Sequence, residues 1–177
     1  MVDVASTSPE ETLRLMAAVL LRHVVDPSSD VFGRLSGATV DALKGRLLEA
    51  IAREPLPFVR RRLCHTAGQL ATAVIGRGGA WDGLLEFVAS FSGAEDPMRR
   101  LAALTLLDNL AFYCGAAMAP HAPAIMGLVG PRLEDSNLEV RGMAFDVTAN
   151  MLLAIPAEDA ASPACSGARG RASGLRE

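Results

Sequence analysis

The chain has 177 residues, half of them apolar and about a fifth charged, enough for one domain with a continuous core. A net charge of −3 argues against general nucleic-acid binding and against adhesion to a membrane surface. Only 5% of the residues are aromatic, so the core must be built from Leu, Ala, Val and Met, a composition suited to stacked helices.

Residues 1–8 read as a short polar leader without the basic and apolar regions of a signal peptide. Pro9 and the acidic pair Glu10-Glu11 open a predicted helix reaching about Val25, with Leu13, Met16, Ala17, Leu20 and Val24 on one face. Asp26-Pro27-Ser28-Ser29-Asp30 breaks it, and Gly33 to Gly37 continues the loop. Thr39 can cap an amphipathic helix over about 39–54, whose narrow stripe is Val40, Leu43, Leu47 and Ile51. A more apolar helix, Leu56 to Ile75, follows and is ended by Gly76-Arg77-Gly78-Gly79. Trp81 to Phe91 gives a short outer helix.

The stretch Glu95 to Cys114, EDPMRRLAALTLLDNLAFYC, organises the rest. Asp96 is a favoured N-cap, and Pro97 suits a first helical turn, where its missing N–H costs nothing. The helix over about 97–114 is apolar on nearly every face and must therefore be covered on several sides. Ala122 to Leu133 makes a poorer helix, since Gly127, Gly130 and Pro131 interrupt it, and it should be irregular near Pro131. The turn Glu134-Asp135-Ser136-Asn137 leads into a last helix ending near Ile155-Pro156. Residues 156–177 shift to Ala, Ser, Gly and Arg and are expected to be disordered. Asp108-Asn109 and Arg22-His23 interrupt the longest apolar runs, so no membrane span is expected.

Four of these helices share one pattern. An apolar residue followed by arginine recurs as Leu13-Arg14, Val59-Arg60, Met98-Arg99 and Val140-Arg141, at spacings of 46, 39 and 42 residues. Three positions later come Ala17, Leu63, Ala102 and Ala144, small or apolar residues that admit a neighbouring helix. A period of about 40–47 residues with two helices each indicates a HEAT-type repeat array. The predicted fold is thus an all-α solenoid over residues 9–155, about three helix pairs plus an unpaired leading helix. That leading helix, residues 9–25, would leave Leu13, Met16, Leu20 and Val24 partly uncovered, which predicts self-association through it.

Little in the chain suggests catalysis. Cys64-His65 is the one Cys/His adjacency, but neighbours on a helix point about 100° apart and cannot act as nucleophile and base. His23, His65 and His121 show no metal-binding spacing, and the glycine run after Ile75 has neither a preceding strand nor a following lysine. An enzyme using Cys64 or Cys114 is a rival without a supporting constellation; no catalytic residue, cofactor or metal is expected. The odd set Cys64, Cys114 and Cys165 reads as reduced thiols in an intracellular protein. The arginines are the better candidates. Arg14, Arg60, Arg99 and Arg141 read mainly as links between repeats, through the acidic turns at Glu95-Asp96 and Glu134-Asp135, whereas the extra arginines Arg61, Arg62 and Arg100 read as partner contacts along an acidic-partner groove. RNA binding is a minor alternative given the acidic balance.

Arg14 to Val25, RLMAAVLLRHVV, resembles an inner helix of importin-β-type nuclear transport receptors, nearest to the karyopherin beta-three group. PFVRRRLCHTAGQLATAVI followed by WDGLLEFVASF resembles the next helices of the same group, and helix order and loop lengths agree from about Ser8 to Ile155. The resemblance implies a right-handed superhelix whose inner helices face Ran-GTP and cargo, with nucleoporin repeats bound between outer helices. It implies a protein of cytoplasm and nucleus, with the region of Arg14, Arg60 and Arg99 meeting Ran, and it implies that this chain is a fragment or truncated form. A general HEAT scaffold of phosphatase or condensin type is the alternative within the binding class.

Overall fold

The computed structural model describes residues 1–154; Ile155, the predicted tail 156–177 and Cys165 lie outside the described residues. Among those described, nine α-helices and two 3₁₀ turns follow one another without a strand. They are α1 (Val2–Thr7), α2 (Glu11–Val24), α3 (Asp30–Gly33), α4 (Gly37–Arg53), α5 (Pro57–Ile75), α6 (Leu84–Ser92), α7 (Pro97–Met118), α8 (Ala122–Val129) and α9 (Leu138–Ala154). The architecture is the all-α HEAT-repeat solenoid that the repeat spacing predicts.

Two layers result from the alternation of apolar and amphipathic helices. α2, α5, α7 and α9 stack in sequence as an inner layer, and α4, α6 and α8 pack on α5, α7 and α9 as an outer one. An inner helix between two inner neighbours and an outer partner has three sides to cover, which explains why α7 is apolar almost all round. Leu104, Leu106 and Leu107 of α7 are fully buried, as are Leu63 and Leu70 of α5. Gly68 lets α5 approach α7 closely: a Cβ there would meet the Cβ of Asn109 at 2.8 Å. Gly115 plays the same part between α7 and Ala154 of α9.

Helix starts follow local chemistry. The Asp96 carboxylate accepts a hydrogen bond from the Met98 N–H at 2.9 Å, and Pro97 takes the first helical position behind it. Proline also opens α5. Gly83, with φ of 80°, allows the left-handed turn that starts α6. α8 stops at Val129 and gives way to a 3₁₀ turn over Gly130–Glu134, the irregularity expected from Pro131.

Several expectations need correction. Residues 2–7 are a helix rather than a polar leader: α1 buries Ala5, packs on α2 and α4, and is fastened by Asp3 to Arg46 at 2.8 Å. The helix over 9–25 is therefore not unpaired. Six residues are too few to display a 3.6-residue period, so its pattern read as polar. Short α3 lies inside the expected loop and seats Phe32 in the core. Ser36, not Thr39, caps α4, accepting from the Thr39 N–H at 3.2 Å. Trp81 precedes α6, and α7 runs four residues past Cys114, where the backbone departs from helical geometry.

Candidate functional site

Each inner helix places an arginine four residues beyond its N-cap, where the side chain folds back over its own entry turn. Arg14, Arg60, Arg100 and Arg141 each donate to the carbonyl six residues earlier, at Ser8, Glu54, Ala94 and Asp135. In two of the four, the other edge of the guanidinium reaches the next repeat. Arg14 grips the Glu54 carboxylate through Nε and Nη2 at 3.0 and 3.3 Å, and Arg100 grips Asp135 in the same way at 2.8 Å on both arms. Bidentate pairing matches the planar fork to the carboxylate and fixes the register of neighbouring helices. The same carboxylates accept from the backbone N–H of Leu56 and Asn137, so one acid ties its own turn to the preceding helix.

The linking arginine of α7 is thus Arg100 and not Arg99. Arg100 is buried and committed, which corrects its reading as a partner-facing residue. Arg99 is exposed, stands 3.9 Å from the Asp96 carboxylate and lies over the Phe91 ring of outer helix α6. One residue turns a side chain by about 100°, so taking the first arginine of the Arg99-Arg100 doublet put the wrong one at the seam. Counting from the N-cap, with Asp96 already legible, gives the right one.

The Arg100–Asp135 pair also sets charge. The Arg100 guanidinium first, and then the Asn137 N–H, hold the Asp135 carboxyl below the usual range against the opposing effect of burial.

Arg61 and Arg62 point elsewhere. Both are exposed and make no ion pair among the described residues. Beside them the inner layer has two hollows lined by no outer-helix residue. One, of about 200 Å³, lies between α2 and α5 against Ala18, Val19, Arg22, His23 and Arg62. Burial first, and then the charges of Arg61, Arg62 and Arg22, hold His65 below its ordinary range, a sign of the positive field at this spot. The other, of about 390 Å³, spans the starts of α5, α7 and α9, with Phe58, Met98 and Leu101 as apolar walls, Arg60 and Arg61 on one side and Glu139 on another. A positively charged, partly apolar surface without outer-helix cover suits a protein partner of negative charge.

The two described cysteines, Cys64 and Cys114, do not suit nucleophilic chemistry. Burial pushes the Cys64 thiol up to about 12 and its Sγ faces the Ala102 carbonyl, while Cys114 is also raised by burial and contacts the Thr72 hydroxyl. A thiol held protonated is a poor nucleophile.

Comparison with known proteins agrees with this architecture. A probable importin-5 homolog of Dictyostelium discoideum is 26% identical over 154 residues, covering 85% of this chain. The chain spans only 14% of that relative's length. The family model described as "IPO5-like, TPR repeats" matches residues 55–166, more than half of the chain and most of its inner stack. With its linked inner helices and its matched repeats, the chain belongs to the IPO5-like TPR-repeat family.

Proposed function

We propose that this chain is a protein-binding module of a nuclear transport receptor, and that it receives Ran-GTP or cargo on the face of the inner layer turned away from the outer helices. The observation that carries the reading is the division of the arginines. Arg14 and Arg100 are neutralised within the fold, while Arg22, Arg61 and Arg62 on the same layer make no ion pair among the described residues. Unpaired cations beside apolar hollows raise the rate and selectivity of capture for an acidic partner. Family membership supports the transport role, in which the protein shuttles between cytoplasm and nucleus and nucleoporin repeats bind between outer helices. Since the chain spans 14% of its relative, Ran-GTP binding should be weak, with a larger contact surface supplied by further repeats.

The test is capture of GTP-loaded against GDP-loaded Ran. Arg61→Glu with Arg62→Glu should abolish any preference for the GTP form, whereas Arg46→Glu with Arg53→Glu, on outer helix α4, should leave it intact. Equal effects of the two double variants would remove the assignment of the binding face.

A further inference from the structure

The links between inner helices are not all complete. Position for position, the acid that receives the arginine of one helix stands six residues before the arginine of the next: Glu54 before Arg60 and Asp135 before Arg141. For the link from α5 to α7 that position is Ala94, which offers Arg100 its carbonyl but has no carboxylate to give Arg60. Arg60 is only 9% exposed, yet its Nε and Nη2 have swung to the Glu54 carbonyl, and its Nη1 makes no hydrogen bond among the described residues. The larger hollow opens at this place, with Arg60 and Arg61 on its cationic side and Phe58, Met98 and Leu101 on its apolar walls.

We infer that this hollow is a recognition site for an acidic peptide segment of a partner protein, whose carboxylate takes the place against Arg60 that Glu54 takes against Arg14 and Asp135 against Arg100. The inference deepens the functional reading above and rests on it. A buried guanidinium with an open donor favours a carboxylate strongly, because a neutral ligand would leave the charge without a partner. An apolar side chain next to the acid would cover Phe58, which is 43% exposed. Glu139 lines the hollow from α9 and repels a second acid there, so the peptide lies with its acidic end toward α5 and a neutral or basic end toward α9.

A substitution within the fold separates this site from the rest of the face. Ala94→Asp supplies the missing carboxylate in cis, so it should raise the melting temperature by about 2–4 °C while excluding the peptide. The probe is a dye-labelled peptide copying residues 133–138, the segment that carries Asp135 against Arg100, compared with the same peptide bearing Asp135→Asn. Fluorescence anisotropy on the full chain should show the aspartate peptide binding about 10-fold more tightly than the asparagine form. Ala94→Asp should weaken it about 10-fold. Phe58→Asp, at an exposed side chain where folding is not at stake, should weaken it by a comparable factor through repulsion. Equal affinity of the two peptides, or unchanged binding to Ala94→Asp, overturns the inference, as does loss on Arg62→Glu alone, which would place the peptide in the smaller hollow. If Ran-GTP capture depends on Arg61 and Arg62 while no peptide binds, only the inference at Arg60 fails. Peptide binding at Arg60 without GTP-dependent capture fails the transport reading instead.

Discussion

The inner helices α7 and α9 are alike in composition and unlike in burial. α7 has neighbours in α5, α9 and α6, and its leucines from Leu104 to Leu110 are almost wholly covered. α9 is equally apolar, yet Leu138, Phe145, Leu152 and Leu153 are 74%, 60%, 70% and 85% exposed. α2, at the other side of the stack, repeats this with Leu13, Met16 and Leu20 in water. The contrast teaches that an apolar helix in a repeat array is stabilised by the neighbour it meets and not by its own pattern; burial, and with it the effect of a substitution, is a property of the interface.

The largest break in the comparison should come at the link between the two helices. Arg100→Ala leaves the buried Asp135 with only Arg132, at 3.3 Å, as its ion-pair partner and is expected to cost about 2–3 kcal/mol in urea unfolding. Arg141→Ala, which removes carbonyl hydrogen bonds from a half-buried side chain, should cost about 1 kcal/mol. The same pair gives a pH dependence. Because the folded Asp135 carboxyl is held below its ordinary value, its contribution is complete above the unfolded pKa, about 3.9, and is lost as pH falls through the lowered folded value. The acid limb of the stability curve should therefore flatten in Arg100→Ala; an unaltered limb would assign the acid sensitivity to other groups.

Two mid-helix glycines sharpen the contrast at the next level. Gly68→Ala drives a methyl group into Asn109 across the α5–α7 seam and should destabilise by about 1–3 kcal/mol. Gly142→Ala on α9 meets nothing within 4 Å and should stabilise by about 0.5–1 kcal/mol through backbone entropy. Thermal unfolding of the two variants in parallel reads both signs, and a shared sign would mean that the α9 face is covered.

The smallest effects on folding belong to the exposed stripes. Leu13→Lys with Leu20→Lys on α2, and Phe145→Ser on α9, should each change stability by no more than about 0.5 kcal/mol per site. They should instead alter association. Concentration-dependent sedimentation of the natural chain is expected to involve the α2 stripe and to diminish in the double lysine variant. A monomer at every concentration, indifferent to the substitutions, would show that the stripe has no affinity for a second copy.

The amino-acid sequence by itself did not reveal the short α1 and α3, but it determined the seven longer helices, their alternation and their repeat. Local rules suffice for these: Asp96-Pro97 starts a helix, glycines after Ile75 end one, and a 3.6-residue pattern recurring at a near-constant period can only be a helical array. Which arginine joins which acid was decided by tertiary structure. Arg99 and Arg100 have the same chemistry; counting from the Asp96 N-cap singles out Arg100 as the one turned inward, but only the position of Asp135, in the turn before α9, shows which acid it meets. The same holds for Ala94, unremarkable in the chain and informative only where a carboxylate stands at the equivalent place in other repeats. Burial of Leu107 against exposure of Leu152 is likewise invisible to periodicity, because the pattern records that a side chain is apolar and not whether a neighbour arrives to cover it.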